Sequence, residues 1–161
     1  MTKPTLTFSE NFIEECANAL GNSRYTDVKI ILSDEPMKPE YHLHKVILAA
    51  TSSFFRKLFY HEPKPVYEIG AMSKRSFEDV LGYMYRQTIT LTYKNFESIR
   101  ETALYLGCEE IMERMTRNPH IKYSHGAFQI KGRSIVWIRD EDPGQEGGPP
   151  RGEWDSEEDT N

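Results

Sequence analysis

The sequence predicts an α+β protein in which a small sheet comes first and a cluster of helices follows. Three observations support this prediction. Runs rich in β-branched residues, typical of strands, lie mostly within the first 70 residues. Apolar residues spaced three or four apart, typical of helices, dominate from residue 73 to residue 115. A chain of 161 residues is also long enough for one domain with a core, plus appendages. This order favours an α+β arrangement over a parallel, doubly wound sheet.

The first predicted element is an amphipathic helix over residues 8–20, which we expect Gly21-Asn22 to end. Its apolar residues recur at steps of four or lie beside that row. They are Phe8, Phe12, Ile13, Cys16 and Leu20. Because the helix precedes the core, something must cover this face. A second copy of the same helix, related by a two-fold axis, is one solution, and packing onto its own domain is the other. We predict the first, with these five residues at a dimer interface.

The next elements are short strands and helices, recognised by a change of apolar period from two to about 3.6. Pro63 and Pro65 hold a linker extended, and Ser73 can cap the helix that follows. The predicted strands cover residues 26–32, 41–44, 66–69 and 88–92. The predicted helices start at residue 45, cover residues 54–60, 73–85 and 96–106, and end with one that carries Ile111 and Met115.

The pattern changes after Pro119, so we divide the chain into a domain over residues 1–118 and two appendages. Residues 119–138 alternate apolar and polar positions and predict a short β extension of one or two strands. Residues 139–161 contain nine acidic and two basic residues among glycines and prolines. That composition buries too little apolar surface to offset chain entropy and predicts a disordered acidic tail.

Composition also argues against several classes of protein. The 18 basic and 16 acidic residues before the tail form no dense basic run, so we expect no direct binding to nucleic acid. No apolar run reaches the roughly 18 residues that a membrane span needs, so we expect no membrane partner. The two cysteines, Cys16 and Cys108, occupy apolar helix positions rather than a disulfide framework. This favours an intracellular protein, cytoplasmic or nuclear.

No motif for catalysis is recognisable, and we predict no catalytic residue, no metal site and no cofactor. His42 and His44 have a spacing that can chelate a metal, but a third ligand is missing. We interpret them instead as packing at a strand-to-helix corner. Carboxylate pairs such as Glu14-Glu15 and Glu109-Glu110 are interpreted as solvated helix faces. There is no nucleophile elbow and no phosphate-binding glycine loop.

Two charged residues, Asp27 and Lys45, begin neighbouring elements, a strand and a helix. If they meet in a partly buried place, removing one leaves the other unpaired, at a cost of several kcal/mol. The alternative is two unrelated surface charges, which contribute little. The spacing of Asp27 and Lys45 does not distinguish a partly buried pair from two unrelated surface charges.

Five runs of the chain match one known family in order. They are TDVKIIL, YHLHKVILAATSSFFRKLF, VYEIG, SFEDVLGYMYRQTITLT and NFESIRETALYLGCEEI. Over roughly residues 8 to 115 this pattern resembles the BTB/POZ domain. The resemblance implies a small three-stranded sheet flanked by a helical cluster, and a non-catalytic module for protein–protein interaction. It further implies a homodimer held largely by the first helix, with Asp27 and Lys45 as a charged pair in a pocket at the dimer interface.

The resemblance leaves the partner open between two classes. Many such proteins are substrate adaptors that recruit a cullin scaffold for ubiquitin ligation, whereas others bind transcriptional corepressors. Cullin binders often carry a hydrophobic-x-Glu element shortly after the helix that here contains Phe55 and Phe59. In this chain the corresponding positions are Pro63 and Pro65. A hydrophobic residue and a glutamate with this spacing, Tyr60 and Glu62, occur three positions earlier. The candidate partner contacts are Phe55, Phe59, Tyr60, His61 and Glu62. Either the chain is a fragment of a longer protein, or the extension and tail are its second functional element.

Overall fold

The computed structural model describes residues 10–123, 126–131 and 134–140. These residues form six α-helices, six β-strands and one 3₁₀ helix at Pro119–Tyr123. The helices are α1 (Glu10–Asn22), α2 (Lys45–Thr51), α3 (Ser53–His61), α4 (Lys74–Arg86), α5 (Phe96–Leu106) and α6 (Glu109–Arg117). The strands are β1 (Val28–Leu32), β2 (Glu40–Leu43), β3 (Val66–Ile69), β4 (Thr88–Leu91), β5 (Gly126–Lys131) and β6 (Ser134–Asp140). The predicted α+β class and its small three-stranded sheet are confirmed.

The first sheet has the strand order β2-β1-β3. Strand β1 runs antiparallel to β2 and parallel to β3, so that Ile30 lies opposite both Tyr41 and Tyr67. Alternate residues of β1 are buried, including Ile30 and Leu32, because successive strand side chains point to opposite faces. One face of this sheet therefore packs against the helical cluster, in which α4 contributes the most buried residues.

The second sheet has the order β4-β5-β6 and is antiparallel throughout. Ile89 of β4 lies opposite Ile130 of β5, which in turn lies opposite Ile135 of β6, and all three side chains are buried. Strands β5 and β6 belong to the segment for which the sequence predicts one or two strands. Strand β6 ends at Asp140, two residues beyond the predicted boundary at 138. The rest of the predicted tail, from residue 141, lies outside the described residues.

Most helix boundaries follow local sequence signals. Helix α4 begins where the Ser73 hydroxyl accepts a hydrogen bond from the Ser76 amide, as the sequence predicts. It ends at Gln87, which has a left-handed backbone. Helix α1 runs two residues further than predicted, through Asn22, because the left-handed residue is Ser23 (φ 50°) rather than Gly21.

Candidate interaction surfaces

Helix α1 packs on α4, which covers part of the apolar face predicted to lie at a dimer interface. Cys16 and Leu20 are partly buried against the core, and burial together with the neighbouring Glu15 charge raises the pKa of the Cys16 thiol. Ile13 is half-buried and Phe12 is 50% exposed. Phe8 lies outside the described residues. The helix is thus covered by its own domain towards its carboxyl end and exposed towards its amino end.

Further apolar side chains are exposed where α1 and α2 approach the same end of α4. Tyr25, which has a left-handed backbone (φ 59°), is 90% exposed, and Val46 in the first turn of α2 is 75% exposed. Cys16 of α1 and the start of α2 both lie close to Tyr85, near the end of α4. We call the exposed set Phe12, Tyr25 and Val46 the α1–α2 surface.

His44 holds the corner beneath this surface. Its backbone N–H donates to the Tyr85 hydroxyl at 3.0 Å, and its Nδ1 lies 2.8 Å from the same oxygen. Its Nε2 bonds the carbonyl oxygen of Arg24. Since a carbonyl can only accept, Nε2 carries the proton and Nδ1 accepts from Tyr85. Burial of Tyr85 raises the pKa of its hydroxyl to about 12, so it remains a donor at neutral pH. His44 is buried in this packing role, whereas His42 is exposed.

The Asp27 side chain contacts the backbone of Lys45, not its side chain. Asp27 Oδ1 accepts a hydrogen bond of 2.7 Å from the Lys45 backbone N–H. The residue at the N-cap of α2, His44, makes no side-chain cap, so the Asp27 carboxylate supplies that acceptor from the start of β1. The Lys45 ammonium instead lies 5.8 Å from the centroid of the Phe59 ring. A pocket at a dimer interface remains a prediction for this pair.

The end of α3 separates the predicted partner contacts into buried and exposed residues. Phe55 is fully buried and stacks on Phe59, whose ring centroid lies 5.2 Å from that of Tyr67. Phe55 therefore has no exposed surface for a partner to contact, and we no longer include it among the candidate partner contacts. Tyr60 projects from the opposite side of the helix and is 82% exposed.

The segment that follows α3 is held in place by Tyr67. Its hydroxyl donates to the Glu62 carbonyl oxygen at 2.6 Å and accepts from the Lys64 backbone N–H at 3.0 Å. His61 and Glu62 are exposed beside Tyr60. The Glu62 carboxylate pairs with the Lys64 ammonium at 3.3 Å, a solvent-exposed contact that contributes little to stability.

A cleft of about 320 Å³ lies where α2, α3 and α4 meet the turn between α5 and α6. Its walls are joined by backbone contacts, because the Ser53 N–H donates to the Gly107 carbonyl oxygen at 3.2 Å. The Ser52 hydroxyl, which caps α3, also donates to the Leu106 carbonyl oxygen. The cleft is lined by Ala50, Thr51, Ser53, Arg56, Tyr83, Gly107, Cys108, Glu109, Glu110, Ile111 and Glu113. We call it the α2–α6 cleft.

Sequence reasoning missed this cleft. Glu109 and Glu110 are exposed on a helix, as interpreted from the sequence, but they also line the cleft. The lining comes from three separate stretches of the chain, residues 50–56, 83 and 107–113, so no single spacing in the sequence could have indicated the cleft. Burial raises the pKa of the Cys108 thiol there to about 12, which keeps it protonated at neutral pH.

Metal-ligand clusters and membrane-spanning helices were sought in the part of the chain that the structure describes. Across residues 10–123, 126–131 and 134–140, no three His, Cys, Asp or Glu side chains are placed to share a metal ion. Among those same residues, no helix combines the length and apolar character needed to cross a bilayer.

Comparison with known proteins gives consistent matches. A family model described as the BTB/POZ domain matches residues 17–120. Nucleus accumbens-associated protein 2 from Rattus norvegicus is 30% identical over 93 residues, 57% of this chain and 15% of that protein. Zinc finger and BTB domain-containing protein 21 from Homo sapiens is 23% identical over 119 residues, 72% of this chain and 10% of that protein. The solved BTB domain of zebrafish PATZ1 aligns with a TM-score of 0.58 at 22% identity, covering 71% of this chain and 96% of that chain.

These matches agree with the motifs and with the fold. The chain spans only a small part of the two curated relatives' own length, 15% and 10%. The structural likeness shows the α+β fold predicted from the sequence. BTB/POZ domains are modules for protein–protein interaction and are not generally enzymes. Because the family model covers more than half of its residues, the chain belongs to the BTB/POZ domain family.

Proposed function

We propose that this chain is a non-catalytic, intracellular interaction module that homodimerises through the α1–α2 surface and scaffolds a partner complex. The observation that carries this proposal is the gathering of exposed apolar side chains at one end of α4, with Tyr25 90% and Val46 75% exposed. Exposed apolar residues that cluster, rather than occur singly, mark interaction surfaces. Membership of a family of interaction modules supports the same conclusion.

A two-fold axis through this surface is the simplest way to cover it. In such a dimer each exposed side chain is buried twice, once in each copy. Full burial of a large apolar side chain contributes roughly 1.5–3 kcal/mol, so three side chains per copy supply a substantial driving force before the entropy cost of association. Because Cys16 and Leu20 already pack on their own domain, we place the interface on the outer side of α1 and on the first turn of α2.

Sedimentation velocity on matched variants tests this proposal. We expect the native chain to sediment as a dimer and Phe12→Glu with Val46→Glu to sediment as a folded monomer, because two buried carboxylates per copy oppose association. Met37→Glu is the control, since Met37 is 90% exposed on the β1–β2 loop. Circular dichroism verifies folding. If the double variant and the control remain equally dimeric, the α1–α2 surface is not the interface.

A second candidate function is a substrate adaptor of a cullin-RING ubiquitin ligase. The exposure of Tyr60, His61 and Glu62 at the carboxyl end of α3 favours it, because an aromatic residue and a carboxylate lie close together where Tyr67 holds the chain in place. We expect a saturable complex with a cullin amino-terminal region, weakened by Tyr60→Ala or Glu62→Lys and unaffected by Met37→Ala. Unchanged affinity in both variants would exclude this surface as the cullin contact.

Recruitment of a transcriptional corepressor is the other alternative. It is favoured by similarity to a protein whose name joins zinc fingers with a BTB domain. A corepressor fragment that binds the native chain, while the cullin region does not, would decide between the two partner classes.

A further inference from the structure

We propose that the acidic segment 153–159 of this same chain docks on a basic surface around α3. We call this the α3 surface, and it consists of Lys45, Lys57, Tyr60, His61 and Lys64. The acidic segment reads EWDSEED and lies outside the described residues. This inference goes beyond the proposed function, because it requires neither a dimer nor a cullin. It is carried by the distribution of charge, by a shared aromatic pattern and by the length of chain that joins the two parts.

The positive charge of the body of the chain is concentrated in one stretch. Residues 45–67, which include α2 and α3, contain four lysines and arginines and a single acid, Glu62. The other residues up to 138 contain 14 basic and 15 acidic residues. The acidic segment contains five acids and no base. The stretch 45–67 is therefore the part of the body whose charge complements that of the segment.

The fold gathers the cations of this stretch around two aromatic rings. The Lys45 ammonium lies 5.8 Å from the centroid of the Phe59 ring, and the Lys64 ammonium lies 5.2 Å from that of the Tyr67 ring. The centroids of these two rings are themselves 5.2 Å apart. Lys64 pairs with a carboxylate, whereas Lys45 and the exposed Lys57 form no ion pair within the described part of the chain. An incoming carboxylate can therefore pair with either of these two lysines.

Both the surface and the segment place an aromatic residue among their charges. Tyr60 is 82% exposed, and its ring centroid lies 5.2 Å from that of His61. Residues three or four apart share one side of a helix, so Lys57 lies on the same side of α3 as these two rings. In the segment, Trp154 stands between two acids. Packing of Trp154 on Tyr60 therefore brings the flanking carboxylates to the lysines.

The chain between β6 and the acidic segment is long enough for docking within one chain. Residues 141–152 join the two and extend to at most about 40 Å. That reach exceeds the radius of gyration of about 14 Å expected for a domain of this size. A short tether also gives the segment an effective concentration in roughly the millimolar range, so that weak exposed contacts suffice for docking. A partner that binds at Tyr60 must displace the docked segment.

NMR spectra of the ¹⁵N-labelled full chain test the docking. The tail variant neutralises three acids of the segment: Asp155→Asn, Glu157→Gln and Glu158→Gln. The matched linker control removes the same charge from the joining residues: Glu141→Gln, Asp142→Asn and Glu146→Gln. We expect the tail variant to shift the amide signals of the α3 surface at low salt and the linker control to leave them in place. Added salt should move the native signals towards those of the tail variant, because screening releases the segment.

Competition with a free peptide measures how far the segment covers the surface. The probe is a fluorescein-labelled peptide of residues 151–161, and its binding to the full chain is followed by fluorescence anisotropy. Docking for two thirds of the time lowers the apparent affinity of the native chain about threefold. We therefore expect the tail variant to bind the peptide about two- to threefold more tightly than the native chain or the linker control.

Variants of the surface complete the test. Lys57→Gln with Lys64→Gln, made in the tail variant, should weaken peptide binding about fivefold, as expected for two exposed charge contacts. The matched control, Lys38→Gln with Arg75→Gln, removes the same charge from exposed residues outside the stretch 45–67 and should have no effect.

The proposal is wrong if the amide signals of the α3 surface are the same in the native chain and the tail variant, or if the linker control shifts them equally. It is also wrong if the two pairs of cation substitutions weaken peptide binding to the same extent. Peptide binding with equal affinity for the native chain and the tail variant would assign the surface to an acidic segment of another protein and would overturn docking within the chain. These outcomes do not depend on dimerisation, which sedimentation measures separately.

Discussion

Two tyrosines of α4, two residues apart and equally buried, should respond in opposite ways to loss of the hydroxyl. Tyr85 is 1% exposed and Tyr83 is 3% exposed. The Tyr85 hydroxyl bonds both the backbone N–H and the ring Nδ1 of His44. The Tyr83 hydroxyl lies near the Glu110 carboxylate but makes no hydrogen bond of good geometry among the described residues. Tyr85→Phe therefore removes two hydrogen bonds, whereas Tyr83→Phe removes a hydroxyl that makes no hydrogen bond of good geometry.

The magnitude follows from what each substitution leaves behind. Tyr85→Phe leaves two buried polar atoms of His44 without a partner, each at a cost of roughly 1–3 kcal/mol, so we expect a loss of about 2–6 kcal/mol. Tyr83→Phe removes a buried hydroxyl that makes no hydrogen bond of good geometry, so we expect the free energy of unfolding to stay the same or rise. The two variants are controls for each other, because ring size, helix and burial are matched.

Urea denaturation followed by circular dichroism measures the difference. With a slope of about 1.5 kcal/mol per molar urea, Tyr85→Phe should lower the midpoint by roughly 1–4 M, while Tyr83→Phe should leave it unchanged or raise it. Equal losses in the two variants would refute the reasoning, since they would show that the His44 contacts do not stabilise the corner. A destabilised Tyr83→Phe alone would show that its hydroxyl has a partner in solution.

Three further predictions concern the Asp27 cap, Gly107 and Cys108. Asp27→Ala should cost about 1 kcal/mol in urea denaturation, as for loss of a helix cap, whereas Lys45→Met should change stability less, because Asp27 bonds the Lys45 backbone. Gly107→Ala should lower the melting temperature, because Gly107 has a φ of 62° and a methyl group there would overlap the Ser53 hydroxyl. Cys108 should react with a thiol reagent at pH 8 only as fast as the domain opens, since its pKa is about 12; rapid labelling of the native protein would contradict its burial.

The sequence predicted the elements well because their signals are local. Apolar periodicity identified the strands and helices, and Ser73 marked the start of α4. The end of α1 was placed too early because the glycine there does not adopt the left-handed backbone, which falls on Ser23 instead. A residue type determines which backbone conformations are accessible, but tertiary packing selects one of them.

Contacts between distant segments could not be predicted in the same way. His44 and Tyr85 are 41 residues apart, and nothing in their local sequence pairs them. The sequence predicted that Asp27 and Lys45 begin neighbouring elements, but not that the carboxylate bonds a backbone N–H. The α2–α6 cleft could not be predicted from local sequence either, because it exists only once three separate stretches of the chain pack together.

The molar mass of the native chain in solution tests the central claim of homodimerisation most directly. Light scattering across a range of concentrations distinguishes the 18.8 kDa single chain from a pair of twice that mass. A mass that rises to twice the monomer value and stays there is the result that a closed two-fold dimer predicts. A mass of 18.8 kDa at every concentration would contradict the homodimer and would require α1 to act as part of a monomeric module.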